Sequence, residues 1–297
     1  AITANLEREV ARVRDGEEDF EYAQWEALWE ALKHIADRAA AGMLQSTTST
    51  AILYVNAMRA VAKRCEMGPS NVLLSTGFYD AMDYGLALRH DATTVAISEL
   101  IDLLTTHDND PRRAAIMAGT IIPHRLLGEL TRTHDGVTLA SLCTTLALFC
   151  GLDRFRNGLT AQSAWEFFHT IVKRLELSAP TQDKVEYVPM LICLDRFTKN
   201  RPSDCEWVKS ETMMGFCMWG VLTKTRELAT SILLTKATAL GCDAEIAAGL
   251  EGFVEVFLKT GNVDYGAIIA LIVSFAPERW NKLNKWTRDA VEKKFEE

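Results

Sequence analysis

Motifs that mark common catalytic and metal sites are missing from this sequence. It contains no HExxH, no GxxxxGK[ST] phosphate loop and no GxSxG nucleophile turn. Its seven cysteines form no CxxC pair, and their odd number argues against a disulfide framework or a zinc site. We therefore expect a non-enzymatic protein with no metal, no cofactor and free cysteines, as in the reducing cytoplasm or nucleus.

Long apolar runs and strand-like alternation are missing too. No run approaches the roughly 20 uncharged residues of a membrane span, so we expect none. The acidic N-terminus lacks the apolar core of a secretory signal, and the chain begins at Ala1 rather than Met, as a fragment or a processed chain would. Apolar and polar residues never alternate for long between turn signals, which favours an all-α fold.

Helical patterns, by contrast, are frequent, and the clearest lies between Gly119 and Phe149. Apolar residues recur there at the i, i+3, i+4, i+7 spacing of a helix on either side of the polar turn 131–136. This pattern predicts two helices, neither of which can bury its apolar face without neighbours.

The neighbours appear at regular distances along the chain. A step of 42 residues back from Gly119 to Gly77, and a step of 48 forward from Val137 to Val185, place apolar residues on apolar residues. A period of about 40 to 47 residues is the spacing of armadillo and HEAT repeats. The alternative is chance overlap of amphipathic helices in an ordinary all-α domain.

The segments AGTIIPHRLLGEL at 118–130 and VTLASLCTTLALF at 137–149 resemble the armadillo-repeat family. The shared pattern is a glycine near the start of one helix, a leucine-rich helix, a polar turn and an alanine- and leucine-rich helix. The resemblance covers residues 70–200 and extends towards 275, and it implies a right-handed α-solenoid with a concave binding surface. The Trp and Asn groove signature of nuclear-import adaptors is absent, and Thr144 and Thr145 occupy that region.

This resemblance predicts one armadillo-like helical domain over 1–297. We expect N-terminal capping helices over 1–69, including the stripe Trp25, Leu28, Trp29 and Leu32; repeats over 70–275; and a C-terminal capping helix over 276–297. Local signals are an Asp110–Pro111 helix start, Pro189 as a kink or a first turn, and Gly241 as a C-cap. Helices are predicted at 162–176, 205–222, 226–240, 244–260 and 265–275.

A partner-binding site follows from the same register. If Val137, Ala140, Cys143 and Leu146 face inward, then Ser141, Thr144 and Thr145 face away. The 42-residue step adds Glu99 and Asp102 from the preceding helix, and the 48-residue step adds Arg196, with Lys199 and Asn200 beyond it. We expect a groove that runs from acidic through hydroxyl-rich to basic, and that orients a bound protein or peptide with its basic end at Glu99 and Asp102.

The sequence contains residues that fit two other kinds of site. The only basic region, 151–201, could serve an α-helical nucleocapsid-like protein that binds nucleic acid, but the net charge of −8 opposes phosphate binding and we expect none. Two THD turns, His107–Asp108 and His134–Asp135, could form a metal or acid–base pair, or simply flank helices. We favour the helix-flanking role and a scaffold that binds a protein or peptide.

Overall fold

A computed structural model describes residues 51–52, 54–56, 59, 76–106 and 111–296. Every regular element within these residues is helical, which confirms the predicted all-α class. Contacts divide the chain into two compact units that meet between Thr160 and Ala161. The predicted helices around Trp25 and Trp29 lie outside the described residues.

The first unit contains six described helices. They are α1 (Thr76–Ala87), α2 (Asp91–Thr106), α3 (Pro111–Met117), α4 (Ile122–Arg132), α5 (Gly136–Cys150) and α6 (Asp153–Gly158). Helix α2 packs along α5, and α1 packs along α4. Fully buried leucines, Leu100 and Leu104 on α2 and Leu142 and Leu146 on α5, make this core because one face of each helix is removed from water.

Two hydrogen bonds join the helices of this unit at one constant separation. Arg125 Nη2 donates to Asp83 Oδ2 at 3.2 Å, and Thr133 Oγ1 donates to Asp91 Oδ1 at 3.2 Å, and each bond links residues 42 positions apart. Thr133 lies just before α5 and Asp91 begins α2; further along these two helices, Thr145 donates to the Ser98 carbonyl, 47 residues away. Because the contacts advance in the same direction on α2 and α5, the two helices run parallel.

The second unit begins with a helix of 16 residues and ends with one of 12. It comprises α7 (Ala161–Glu176), α8 (Tyr187–Asn200), a 3₁₀ helix (Pro202–Trp207), α9 (Ser210–Trp219), α10 (Thr223–Leu240), α11 (Ala244–Ala248), α12 (Leu250–Thr260), α13 (Val263–Phe275), α14 (Pro277–Lys282) and α15 (Lys285–Glu296). Helix α10 lies at the centre, because it contacts α8, α9 and α13. Phe168 and Phe197 meet edge to face at 4.7 Å between α7 and α8.

Several sequence predictions about these helices are confirmed. Pro111 begins α3, Pro189 lies in the first turn of α8, and Gly241 ends α10 with φ of 87°. Two predicted helices are wrong in extent. The segment 205–222 is divided between the 3₁₀ helix and α9, and the segment 244–260 is interrupted at Gly249, where an added Cβ would collide with the Met214 side chain.

The described cysteines are free thiols, and five of them are buried: Cys143, Cys150, Cys193, Cys205 and Cys217. Burial raises the pKa of Cys205 to about 11, so this thiol is a packing residue rather than a reactive nucleophile. Among the described helices, none has the length and apolar character needed to cross a membrane.

Candidate partner-binding surface

The acidic end of the predicted site lies on α2. Glu99 is exposed and forms an ion pair with Arg59 at 2.5 Å, and Asp102 is half-buried one turn later. Burial raises the pKa of Asp102, and the neighbouring charge of Glu99 raises it further. The ion pair with Arg59 compensates part of the negative charge of this end.

The hydroxyl-rich part of the predicted site lies on α5, but only two of its three residues are accessible. Ser141 is half-buried, and Thr144 is exposed with its hydroxyl bonded to the Ala140 carbonyl at 2.9 Å. The predicted outward orientation of Thr145 is wrong. This side chain is 1% exposed, and its hydroxyl donates to the carbonyls of Ser98 and Ser141 at 3.1 Å.

The predicted inward-facing stripe of α5 needs one correction. Ala140, Cys143 and Leu146 are buried, as predicted. Val137 is 58% exposed, so the prediction that it faces inward is wrong. Val137 lies in the first turn of the helix, four residues before Ser141 and seven before Thr144, and therefore extends the accessible stripe with an apolar side chain.

Four of the predicted site residues lie on two helices that contact each other, α2 and α5. Glu99 and Ser141 are related by the 42-residue step that the two hydrogen bonds also follow, and so are Asp102 and Thr144. The two helices pack on each other, and their direct bond, from Thr145 to the Ser98 carbonyl, spans 47 residues. We call Glu99, Asp102, Val137, Ser141 and Thr144 the α2–α5 stripe.

The basic end of the predicted site belongs to the second unit. Arg196, Lys199 and Asn200 are exposed at the C-terminal end of α8. Lys199 Nζ pairs with Asp195 Oδ2 at 3.0 Å, and the Asn200 amide donates to the Arg196 carbonyl at 2.7 Å. The charge of Lys199 is thus partly compensated by its own helix. The acidic-to-basic gradient along the site remains a prediction.

The basic region 151–201 is likewise less uniform than its sequence. Arg154 packs against Gly119 in the first unit, and Arg201 pairs with Asp204 at 2.8 Å in the second. Lys173 is exposed on α7. Since basic residues of this region are engaged within their own units, the described contacts provide no particular support for a phosphate-binding strip.

The THD turn that the structure describes has a structural role. Asp135 caps α5, and its carboxylate accepts from the Thr138 backbone N–H and from the Thr138 hydroxyl, both at 2.8 Å. These bonds, the backbone one first, lower the pKa of Asp135. The helix-flanking interpretation is confirmed for this turn, while His107, Asp108 and Asp110 lie outside the described residues. Within the described ranges, no group of three or more His, Cys, Asp and Glu is arranged to hold a metal ion.

A polar cluster that sequence reasoning missed joins α9, α10 and the start of α11. Lys236 Nζ donates to Ser210 Oγ at 2.8 Å and to the Val208 carbonyl at 2.6 Å, and it lies 3.2 Å from Asp243 Oδ2. The Ser210 hydroxyl donates to Asp243 in turn. No spacing rule would reveal this cluster, because its members are separated by 26 and 33 residues.

A serine beside a lysine can form a nucleophile and its base, but this pair lacks the required arrangement. The base would need a free amine lone pair, whereas the Lys236 ammonium group faces three acceptors. Ser210 is 4% exposed, so a substrate has no access to its hydroxyl. The cluster is a buried network that fixes three helices together.

Comparison of this chain with protein-family models, with curated proteins and with solved structures finds no match.

Proposed function

We propose that this chain is a right-handed α-solenoid of armadillo- or HEAT-like repeats and acts as a non-enzymatic scaffold for a protein or peptide partner. The order of its helices supports this. Four short helices of five to seven residues each precede two longer helices: α3, α6, the 3₁₀ helix and α11. A fifth short helix, α14, precedes α15 alone. A short helix followed by two longer ones is the element order that an armadillo repeat requires.

The observation that carries the proposal is the pair of hydrogen bonds between residues 42 positions apart. In a stack of repeats, each repeat contacts its neighbours, and equivalent positions come close together. A third bond of this unit, from Thr145 to the Ser98 carbonyl, spans 47 residues, so all three separations lie within the range of about 40 to 47 residues that these repeats have. Chance overlap of amphipathic helices would give contacts with unrelated sequence separations.

The α2–α5 stripe is the docking surface that this architecture favours in the first unit. Successive parallel helices of a solenoid create a continuous surface for an extended or helical segment. The stripe offers carboxylates at one edge, hydroxyls at the other and the exposed Val137 side chain. A partner segment with basic residues and a small apolar anchor fits this combination, since complementary charge fixes the register of binding.

The test is capture of partners from a cell lysate followed by quantitative mass spectrometry, with three versions of the chain. The first is native, and the second carries Glu99→Lys and Asp102→Lys. The third carries Glu251→Lys and Glu255→Lys, an equal charge change at two exposed positions of α12 in the second unit. Thermal melting of each version verifies that the fold is retained.

We expect at least one protein to be captured by the native and control versions and lost from the Glu99 and Asp102 variant. Reversal of two carboxylates places repulsive charge against a basic segment and weakens its binding. Equal capture by all three folded versions would exclude the α2–α5 stripe as the docking surface.

A further inference from the structure

The first unit has an open pocket between α1 and α4, on helices other than those of the α2–α5 stripe. Its volume is about 470 Å³, and three arginines, one histidine and two carboxylates contribute to its lining. The charged and titratable residues are Asp83, Arg89, His124, Arg125, Glu129 and Arg132. The concentration of guanidinium groups in one pocket is the feature that requires an explanation.

Two of the arginines are held by the two carboxylates. Arg125 forms a two-point contact with Asp83 through Nε and Nη2. Arg132 donates from Nε and Nη2 to Glu129 Oε2, at 2.9 and 2.6 Å, and also approaches Asp91 at 3.5 Å. Each of these arginines thus has a fixed position and retains Nη1 donors that these contacts do not use.

Arg89 has no such partner among the residues that the structure describes. Its side chain is exposed at the edge of the pocket, and no hydrogen bond or ion pair joins it to another described residue. The ring nitrogens of His124 also make no hydrogen bond to a described residue, although the ring contacts Phe155 with centroids 6.2 Å apart. Of the three arginines that line the pocket, Arg89 is the one whose positive charge is not paired with a lining carboxylate.

The backbone of Arg89 is a second, independent observation. Its φ is 53°, and it is the only residue other than glycine with a positive φ among those described. It follows the end of α1, where its N–H donates to the Leu86 carbonyl at 3.0 Å. Helices commonly end with glycine at this left-handed position, because a Cβ makes the conformation unfavourable. An arginine stands at this position at a cost in backbone energy, and such strained residues cluster at functional sites.

We propose that this pocket binds a phosphate monoester, with Arg89, Arg125 and Arg132 as its ligands and His124 as an additional donor. Guanidinium groups donate paired hydrogen bonds to phosphate oxygens, and a phosphate has three terminal oxygens and a charge of about −1.5 to −2 at pH 7. A carboxylate has two oxygens and a single charge, so it can accept from fewer of these guanidinium donors than a phosphate can. Asp83 and Glu129 are each paired with an arginine, which offsets their repulsion of an anion. Space for the ligand is present beside Gly128, where an added Cβ would meet no atom within 4 Å.

Three probes test the chemical class: N-acetyl-O-phosphoserine amide, inorganic phosphate and N-acetyl-aspartate amide. Binding of the phosphates is measured by ³¹P line broadening, and binding of all three by isothermal titration calorimetry. We expect both phosphates to bind and the carboxylate probe to bind at least tenfold more weakly. Tighter binding of phosphoserine identifies a phosphorylated protein as the source, and tighter binding of inorganic phosphate identifies the free anion. No phosphate binding, or equal binding of the carboxylate, overturns the proposal.

The variant Arg89→Gly separates binding from folding. Glycine adopts the observed φ without strain, so the midpoint of thermal unfolding should not fall, while phosphate affinity should fall at least tenfold. Arg89→Lys keeps the charge but not the paired donors, and should retain intermediate affinity. Lys173→Ala removes the same charge from an exposed position of the second unit and should leave binding unchanged.

Native affinity in a folded Arg89→Gly variant would contradict the proposal. Because the α2–α5 stripe is unaffected by these changes, failure here leaves the scaffold proposal standing.

Discussion

At the scale of single residues, two adjacent threonines of α5 have opposite environments. Thr144 is exposed, whereas Thr145 is 1% exposed. Buried Thr138, Leu142, Thr145 and Phe149 follow one another at i, i+4, i+7 and i+11. A pattern that counts only apolar residues misses this buried face of α5, because two of its four residues are threonines. A threonine can be buried at little cost when its hydroxyl bonds to the carbonyl four residues earlier. This face becomes visible in the sequence only if threonine is accepted as a core residue.

Because one of these two threonines is buried and the other is exposed, they allow the contribution of the buried hydroxyl to stability to be measured. Thr145→Val removes the bonds to the Ser98 and Ser141 carbonyls, and we expect the free energy of unfolding to fall by about 1 kcal/mol. Thr144→Val removes an equivalent bond within the helix at an exposed position, and should change it by less than about 0.5 kcal/mol. Urea denaturation measures both. Equal effects would mean that the contact between α2 and α5 does not depend on this hydroxyl.

The Lys236 network gives the second unit a dependence on acid. Burial tends to raise the pKa of Asp243, but hydrogen bonds from Ser210, from the Ile246 N–H and from Lys236 outweigh it, and the net pKa is lowered. A carboxylate with a lowered folded-state pKa stabilises the fold above its unfolded pKa, about 3.9 for aspartate. That stabilisation is lost as the pH falls through the folded-state value. The second unit should therefore lose stability below about pH 4.

Asp243→Asn isolates this effect, since asparagine retains the cap of α11 and loses the charge. Breaking a buried ion pair costs 3–5 kcal/mol, and because the Asp243 side chain is 32% exposed we expect a smaller loss at pH 7, about 2 kcal/mol. The difference from the native chain should shrink as the pH is lowered towards 2. Chemical denaturation across this pH range measures it, and a difference that is constant with pH would contradict the assigned role of Asp243.

At the scale of elements, the sequence located helices where proline and glycine mark their ends, and failed where helices are short. Pro111, Pro189 and Gly241 are placed as predicted, because their restrictions act on the backbone itself. Helix α11 has five residues, fewer than two turns, so a periodic pattern cannot distinguish it from α12. The same limit applies to the 3₁₀ helix before α9, because the pattern over 205–222 does not separate the two.

Replacement of each of two glycines by alanine should change the free energy of unfolding in opposite directions. Gly241 ends α10 with φ of 87°, and an added Cβ would lie 3.1 Å from the Phe275 ring, so Gly241→Ala should destabilise the chain by about 1–2 kcal/mol. Gly128 lies within α4 where an added Cβ meets no atom within 4 Å, so Gly128→Ala should stabilise it by about 0.5–1 kcal/mol. Thermal and urea unfolding give both values, and a gain in stability at Gly241 would contradict the left-handed cap.

At the scale of the whole molecule, the sequence indicated the helical class and a period, but not the charge that its surface presents. Glu99 and Asp102 appear as a free acidic pair in the sequence, yet Arg59 lies beside Glu99 and burial raises the pKa of Asp102. Arg59 is forty residues away from Glu99, and no local pattern relates them. The charge of the proposed binding surface is therefore less predictable than the helices that carry it, because charge is compensated through contacts between distant residues.

The proposed stack of repeats is tested most directly by small-angle X-ray scattering from the monomeric chain in solution. A compact globule of 297 residues has a radius of gyration of about 19 Å. A solenoid in which each repeat contacts only its neighbours predicts a clearly larger radius and a distance distribution with an extended tail. A radius at or below about 19 Å, with a symmetric distance distribution, would contradict the solenoid.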